Sequence, residues 1–199
     1  AAGAPAIING VHLFGWSAEK LYQAIGTWRK VTIQITNSSS WYTLDQPRTY
    51  TYCGYCHHPP QPTIAKNTQE ECSFTKTDGS ACGVVGVLTY RILTDAQGCV
   101  GELAIMFSVP YSYKCYTNWF ALGIFPPGVP CDEKLYNKMY YEDGPFTRGP
   151  GTGSSITYSN KAALVYGTMS PQGESKIDVE LRDVYCYRTQ IDDSQPLSL

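Results

Sequence analysis

A dense group of aromatic residues with polar tips lies between residues 107 and 120 of the 199-residue chain. Five of them fall within ten positions, namely Tyr111, Tyr113, Tyr116, Trp119 and Phe120. Aromatic faces attract a quaternary ammonium through the cation–π interaction, and rings with polar tips concentrate at the lipid–water boundary. The spacing therefore indicates choline recognition or membrane contact, and docking on choline lipids would combine the two.

A second group, Tyr136, Tyr140 and Tyr141, falls on one face of a predicted helix. Packing in a β-sandwich core is the alternative, because tyrosine and tryptophan are common there. Pro110 and Asn118, however, are typical of loops rather than of strand interiors. We therefore favour a pocket in which the loop aromatics form one wall and the helical tyrosines form the second.

The histidines and glycines give little support for enzymatic chemistry. The three histidines accompany neither a Gly-x-Ser-x-Gly nor a His-Glu-x-x-His motif. The glycine-rich stretch 149–155 lacks the Gly-Lys-Ser/Thr of a phosphate-binding loop, so a flexible loop is the better interpretation. We therefore expect a protein that is not an enzyme and needs no cofactor.

Cys53 and Cys56, followed by His57 and His58, have the spacing of zinc ligands and also match a haem-attachment motif. Alternatively, the two cysteines belong to separate disulfides. The chain contains eight cysteines, an even number that is typical of secreted proteins in an oxidising environment. We favour disulfides and predict no metal site, while the pairing stays open because eight cysteines permit many combinations.

Charge and hydropathy argue against two broad classes of function. The formal net charge of −2 and the lack of a basic stripe argue against a nucleic-acid partner. No apolar run is long enough for an ordinary transmembrane helix. Asn37-Ser38-Ser39 forms a glycosylation sequon, which is weakly consistent with secretion, although such short matches often arise by chance.

An amphipathic pattern with a helical period covers residues 5–28. Its apolar stripe consists of Ile7, Val11, Phe14, Ala18, Leu21, Ile25 and Trp28. Gly10 and Gly15 weaken the helix, so in water we expect helix only over about 16–26. About 22 residues at ~1.5 Å each would span about 33 Å, enough to cross an apolar slab of ~30 Å. The segment either packs on the body of the protein or inserts with further copies around a water-filled lumen.

Short strand patterns separated by glycine, proline and asparagine clusters fill most of the remaining chain and predict a β-sandwich or barrel. The predicted strands are 31–35, 84–93, 101–109, 162–168 and 176–187. A second short helix is predicted near 132–141 with Asp132 at its start, and residues 143–155 are predicted to be loop. We expect a single domain over 1–199, made of an amphipathic segment 1–28, a sandwich 29–187 and a disordered tail 188–199.

Three motifs within residues 83–146 resemble those of the actinoporins, the family of sea-anemone cytolysins and their relatives. Phe107-Ser-Val-Pro-Tyr-Ser-Tyr113 resembles the family's Phe-Ser-Val-Pro-Tyr-x-Tyr, and Tyr116-Thr-Asn-Trp119 resembles its Tyr-Ser-Asn-Trp. Leu135-Tyr-Asn-Lys-Met-Tyr-Tyr-Glu-Asp-Gly-Pro-Phe146 resembles its Met-Tyr-x-x-Leu-Tyr-Tyr-x-x-x-Pro-Phe. The similarity extends more loosely over residues 4–35 and from Trp41 to about Tyr185.

The resemblance implies a mainly β fold, a β-sandwich flanked by two short α-helices, of which the N-terminal one is amphipathic. It implies a secreted pore-forming cytolysin that is monomeric in solution and binds phosphocholine-type headgroups at the target cell membrane. There it would form a homo-oligomer and insert its N-terminal helix as an ion-conducting pore. Its partners would be membrane lipids with choline headgroups, with sphingomyelin as one candidate.

Carried over by position, the resemblance assigns three sets of residues. The headgroup-binding set is Val85, Ser108, Pro110, Tyr116, Tyr136, Tyr140 and Tyr141. The membrane-interface set is Tyr111, Tyr113, Trp119 and Phe120, with Trp119 expected in a membrane-facing loop. The pore-helix set is Ile7, Val11, Phe14, Ala18, Leu21 and Ile25.

Several positions depart from the family pattern. Cys115 replaces a tryptophan of the membrane loop, Cys53 falls near a serine of the pocket, and Phe125-Pro-Pro-Gly-Val-Pro130 replaces a polybasic stretch. We therefore expect a disulfide to tether Cys115, which leaves Trp119 and Phe120 to contact lipid. The alternative function is a non-lytic lipid- or glycan-binding module on the same fold.

Overall fold

Strands dominate the computed structural model of the protein, which describes residues 7–8, 11–12, 17 and 28–184. The elements in chain order are β1 (Ile7–Ile8), β2 (Val11–His12), β3 (Lys30–Asn37), β4 (Thr43–Cys53), β5 (Tyr55–His58), β6 (Thr63–Ile64), β7 (Thr68–Thr75), β8 (Val84–Leu93), β9 (Cys99–Val109), β10 (Trp119–Phe125), α1 (Glu133–Tyr141), β11 (Phe146–Pro150), β12 (Ser155–Ser159), β13 (Ala163–Met169) and β14 (Glu174–Asp183). Two six-stranded sheets have the orders β11-β10-β9-β8-β4-β6 and β12-β13-β14-β3-β7-β5. Their apolar faces share one core, which confirms the predicted β-sandwich.

Alternating apolar residues build this core from both sheets. In β3, Val31, Ile33 and Ile35 are buried, whereas the residues between them are partly exposed, as the two-residue period of a strand requires. β3 is an inner strand, which pairs in parallel with β14 and antiparallel with β7. β8 and β9 are instead buried on both faces because α1 packs on the outer side of their sheet. This explains why their sequences are nearly continuous apolar runs.

The predicted strands correspond to β3, β8, β9, β13 and β14. β14 ends at Asp183, short of the predicted residue 187, and residues 185–187 lie outside the described part of the chain. The loop predicted over 143–155 was wrong for Phe146–Pro150, which forms β11. β11 pairs on one side only, with β10, and such an edge strand tolerates the missing amide hydrogen of Pro150.

The helix α1 confirms the second predicted helix and is fixed at both ends. Asp132 is its N-cap, and the Asp132 carboxylate accepts a hydrogen bond from the Leu135 amide at 3.0 Å. At the other end, Arg148 Nη1 donates to the carbonyl oxygens of Met139 and Glu142 at 2.8 and 2.9 Å. These bonds place a cation where the helix leaves carbonyls without partners, so β11 holds the last turn of α1 in place.

The structure describes only part of the N-terminal segment, as a short pair of strands. Ile7–Ile8 pairs antiparallel with Val11–His12, so Ile7 and Val11 lie in strands, outside the range 16–26 in which helix is expected in water. Between these strands the sequence reads Asn9-Gly10, the dipeptide that most favours a two-residue hairpin. The other members of the pore-helix set, Phe14, Ala18, Leu21 and Ile25, lie outside the described residues, as does the tail 188–199. Within the described part, no helix has the length and apolar character needed to span a membrane.

The prediction that Cys53 and Cys56 belong to disulfides is confirmed for Cys53. Cys53 forms a disulfide with Cys82, which also removes Cys53 as a thiolate ligand for zinc. The prediction was wrong for Cys56, which is a free thiol on β5, and for Cys115, which is a free thiol exposed in a turn rather than a tethered one. Burial raises the pKa of the Cys72 thiol to about 12, so this free cysteine is held in its unreactive protonated form. Cys186 lies outside the described residues.

Asn37, the first residue of the glycosylation sequon, is buried in the core, with 0% of the residue exposed. Asn37 Nδ2 donates to the carbonyl oxygens of Tyr42 and Ile64 at 3.0 and 3.1 Å, and Oδ1 accepts from the Ser39 amide. The amide group therefore joins β3 to the neighbouring segments and is inaccessible to a glycan in the folded protein.

Candidate functional site

An open cleft of about 450 Å³ lies between α1 and the adjoining ends of β4, β8 and β9. We call it the tyrosine cleft, and its lining residues are Tyr52, Cys53, Ala81, Cys82, Gly83, Val85, Ser108, Pro110, Tyr111, Ser112, Tyr116, Thr117, Tyr136, Tyr140 and Tyr141. All seven residues of the predicted headgroup-binding set are among them. Their role in binding stays a prediction, but the structure brings them together in one place.

Strand register and helix period explain how these residues meet. Val85 and Ser108 are cross-strand neighbours on β8 and β9, and Pro110 follows directly after the end of β9. Tyr136 and Tyr140 are one turn apart on α1, so both face the sheet edge that carries Ser108. Two short sequence motifs therefore supply the two walls of the cleft.

Four tyrosine rings form a continuous aromatic wall. The rings of Tyr52 and Tyr136 stack with centroids 5.7 Å apart, and the Tyr136 and Tyr140 centroids are 5.8 Å apart. Tyr141 meets Tyr140 edge to face at 4.7 Å. Tyr136 is buried at the base, whereas Tyr141 is 71% exposed at the mouth, so the wall offers aromatic surface from the base of the cleft to solvent.

The cleft carries no formal charge, because none of its lining residues is acidic or basic. Burial, and then the neighbouring phenols, raise the pKa of Tyr136 and of Tyr140, so both hydroxyls stay protonated at neutral pH. The Ser108 hydroxyl lies near that of Tyr140 and partly offsets the rise in the pKa of Tyr140. The site therefore presents aromatic faces for a cation beside neutral hydroxyl donors for an anion.

Arg29 holds the loop that follows β9, residues 110–113, against the body of the protein. Its Nε and Nη2 donate to the carbonyl oxygens of Pro110 and Tyr111 at 2.8 and 2.5 Å, and Nη1 donates to the Trp28 carbonyl at 2.6 Å. The guanidinium also lies 4.8 Å from the ring centroid of Tyr113. Arg29 directly follows the N-terminal segment 1–28, so one buried cation connects the base of that segment to the wall of the tyrosine cleft.

The predicted membrane-interface set is divided by the structure. Tyr111 is partly buried and lines the cleft, and Tyr113 is partly exposed, with its hydroxyl donating to Asn118 Oδ1 at 2.7 Å. Trp119 is the partly buried first residue of β10 rather than a loop residue. The prediction that Phe120 contacts the membrane was wrong, because Phe120 lies in the sandwich core and is 0% exposed. Successive residues of a strand face opposite sides of the sheet, so Phe120 faces the core and Trp119 faces the other side.

Sequence reasoning missed several cleft residues, of which Tyr52 is the most prominent. Tyr52 is 57% exposed and stacks on Tyr136, although β4 was not among the predicted strands. Gly83 was also missed, and a Cβ atom there would lie 1.9 Å from the Val109 carbonyl oxygen. Close approach of the two backbones thus requires glycine beside the Cys53–Cys82 bridge.

Comparison with known proteins finds similarity in sequence and in fold. The family model of the sea anemone cytotoxic protein matches residues 2–183. DELTA-actitoxin-Aas1a of Anthopleura asiatica is 30% identical over 185 residues, which cover 90% of this chain and 82% of that protein. Bryoporin of Physcomitrium patens is 28% identical over 184 residues, which cover 90% of this chain and 98% of that protein.

Among solved structures, the fold is similar to that of the lipid binding protein Nakanori. The two superpose with a TM-score of 0.62 at 12% sequence identity, over 82% of this chain and 76% of that one. At this identity the likeness concerns the arrangement of strands and sheets alone.

Proposed function

Because this chain belongs to the sea anemone cytotoxic protein family, we propose that it binds phosphocholine headgroups in the tyrosine cleft, assembles on the membrane and inserts its N-terminal segment as a pore. Membership of this family supports a cytolysin or a related lipid-binding protein, and the structural neighbour Nakanori is itself a lipid binding protein. The specific headgroup and the pore are the parts that we add.

The observation that carries the proposal is the uncharged, aromatic character of the cleft. Phosphocholine is a zwitterion, so a pocket with a formal charge would favour one of its ends and repel the other. The tyrosine wall suits the quaternary ammonium through cation–π attraction, and the hydroxyls of Ser108 and Tyr140 can donate to the phosphate. A volume of about 450 Å³ is within the usual range for small-ligand sites.

The N-terminal strand pair is compatible with the rearrangement that a pore requires. Among the residues that the structure describes, Ile7–Ile8 and Val11–His12 pair with each other alone, in a separate two-stranded sheet. An isolated pair of this kind is at best marginally stable in water. A change of residues 7–12 from paired strands to helix would therefore disturb neither six-stranded sheet of the sandwich.

Dye release from vesicles tests the proposal on the full chain. We expect binding and release with vesicles of choline lipid, and neither with vesicles whose lipid carries ethanolamine in place of choline. Absence of binding to choline vesicles would overturn the proposal. Binding without release at any protein concentration would instead favour the non-lytic lipid-binding module.

Replacing Tyr140 by leucine should lower the affinity for choline vesicles by about tenfold. Leucine keeps much of the apolar bulk but removes the aromatic face, and a desolvated cation–π contact contributes about 1–2 kcal/mol. Vesicle co-sedimentation measures the loss. Tyr55→Leu is the matched control, because Tyr55 is an exposed tyrosine outside the cleft. Equal affinity of the two variants would contradict the assignment of Tyr140.

A further inference from the structure

A second cleft, of about 270 Å³, lies on the other flank of α1 from the tyrosine cleft. We call it the lysine cleft, and its lining residues are Phe125, Val129, Pro130, Asp132, Lys134, Leu135 and Lys138. Phe125 and Leu135 are buried and form an apolar base, and Val129 is partly buried beside them. Lys134 and Lys138 lie one turn apart on α1, so both side chains lie on the same side of this cleft.

The residues that line the lysine cleft include two lysines, Lys134 and Lys138, and one carboxylate, Asp132, so the lining itself has an excess of positive charge. Lys138 reaches Glu142 only at 4.0 Å, the outer limit for an ion pair. The Asp132 carboxylate is engaged as the N-cap acceptor for the Leu135 amide. Within the described part of the chain, the structure records no ion pair for Lys134. Among the lining residues, two ammonium groups therefore accompany one carboxylate, which is engaged with the backbone, while the Glu142 carboxylate lies outside the lining.

The geometry of α1 relates this cleft to the tyrosine cleft. Lys134 and Lys138 alternate with Tyr136 and Tyr140, and two helical residues correspond to a rotation of roughly 200°. The two clefts therefore open on opposite flanks of one helix, and the exposed face of α1 lies between them. A flat surface that rests on this face would meet both clefts at once.

We propose that the lysine cleft binds an anionic phospholipid of the same membrane on which the tyrosine cleft docks. The apolar base would receive the hydrocarbon next to the lipid phosphate, and Lys134 and Lys138 would bind the phosphate itself. A choline lipid suits the cleft less well, because its quaternary ammonium would meet two lysines. The proposal rests on the proposed function, since it requires α1 to lie against a membrane.

The double variant Lys134→Gln/Lys138→Gln tests the proposal in the full chain. On choline vesicles that contain a minor fraction of phosphatidic acid, we expect roughly a thirtyfold loss of affinity, from the attraction of two lysines to an anionic lipid surface. On pure choline vesicles the affinity should stay within about twofold of the parent protein. The parent protein on pure choline vesicles reports separately on the proposed function, so the two ideas can fail independently.

Two further variants distinguish a built site from general surface charge. Lys161→Gln/Lys176→Gln removes the same charge from exposed positions outside the cleft and should change little. Val129→Asp places a carboxylate in the cleft and should weaken binding to the phosphatidic acid vesicles as strongly as the double lysine variant does. Equal losses in both lysine pairs, or full binding by Val129→Asp, would overturn the proposal.

Discussion

Replacing both Cys53 and Cys82 by serine should lower the free energy of unfolding by roughly 3–4 kcal/mol. The disulfide joins residues separated by 29 positions, and closing a loop of that length restricts the unfolded chain far more than the folded one. In the folded protein it ties the end of β4 to the segment that precedes β8. Urea unfolding of the double variant and the parent protein measures the difference.

The same variant should also bind choline vesicles less tightly, because both cysteines line the tyrosine cleft. Without the bridge, the close approach of Gly83 to Val109 loses its nearest covalent support. Cys115→Ser is the matched control, since Cys115 is a free thiol in an exposed turn and its loss should leave stability unchanged. Equal unfolding midpoints for the double variant and the parent protein would show that the bridge contributes nothing.

Replacing Arg29 by methionine should lower the free energy of unfolding by about 3 kcal/mol, because hydrogen bonds to a charged group contribute ~1.5–3 kcal/mol each and are not additive. Arg29 is only 6% exposed, and its guanidinium donates to the carbonyl oxygens of Trp28, Pro110 and Tyr111. Methionine keeps the apolar stem of the side chain but leaves these buried carbonyls without the donor. Urea unfolding again provides the measurement.

Vesicle binding separates local from global effects of the Arg29 variant. At urea-free conditions, where the variant is still folded, we expect weaker binding because Pro110 and Tyr111 line the tyrosine cleft. Lys66→Met is a suitable control, since the Lys66–Asp95 ion pair is exposed and such pairs contribute ~0–1 kcal/mol. A loss of stability no larger than that of Lys66→Met would contradict the role assigned to Arg29.

Much of the tyrosine cleft could be predicted because its residues lie in two continuous motifs. Ser108 and Pro110 are fixed by the end of one strand, and Tyr136 and Tyr140 by the period of one helix. Tyr52 could not be predicted in the same way, because it reaches the cleft only through the pairing of β4 with β8. No local pattern distinguishes it among the chain's 16 tyrosines.

Arg29 was missed for a related reason. Its acceptors are carbonyl oxygens of Pro110 and Tyr111, which lie more than 80 positions along the chain. Backbone carbonyls leave no mark in the residue types of a sequence. A buried arginine of this kind becomes visible only when the three-dimensional fold shows what it contacts.

The position of Phe120 could not be predicted from the aromatic residues around it. Phe120 was assigned to a membrane loop because it continues an aromatic stretch, yet β10 begins one residue earlier. Strand alternation then determined which neighbour faced the core.

The position of β3 has a mechanical consequence. It begins at Lys30, just after the N-terminal segment, and β14 and β7 hold both of its edges over its whole length. A pulling force on that segment would run along β3 and load the hydrogen bonds on both edges together, in shear, rather than peeling an outer strand away. The sandwich would thus stay folded under a force on the N-terminal segment, such as the force that accompanies the proposed insertion of that segment into a membrane.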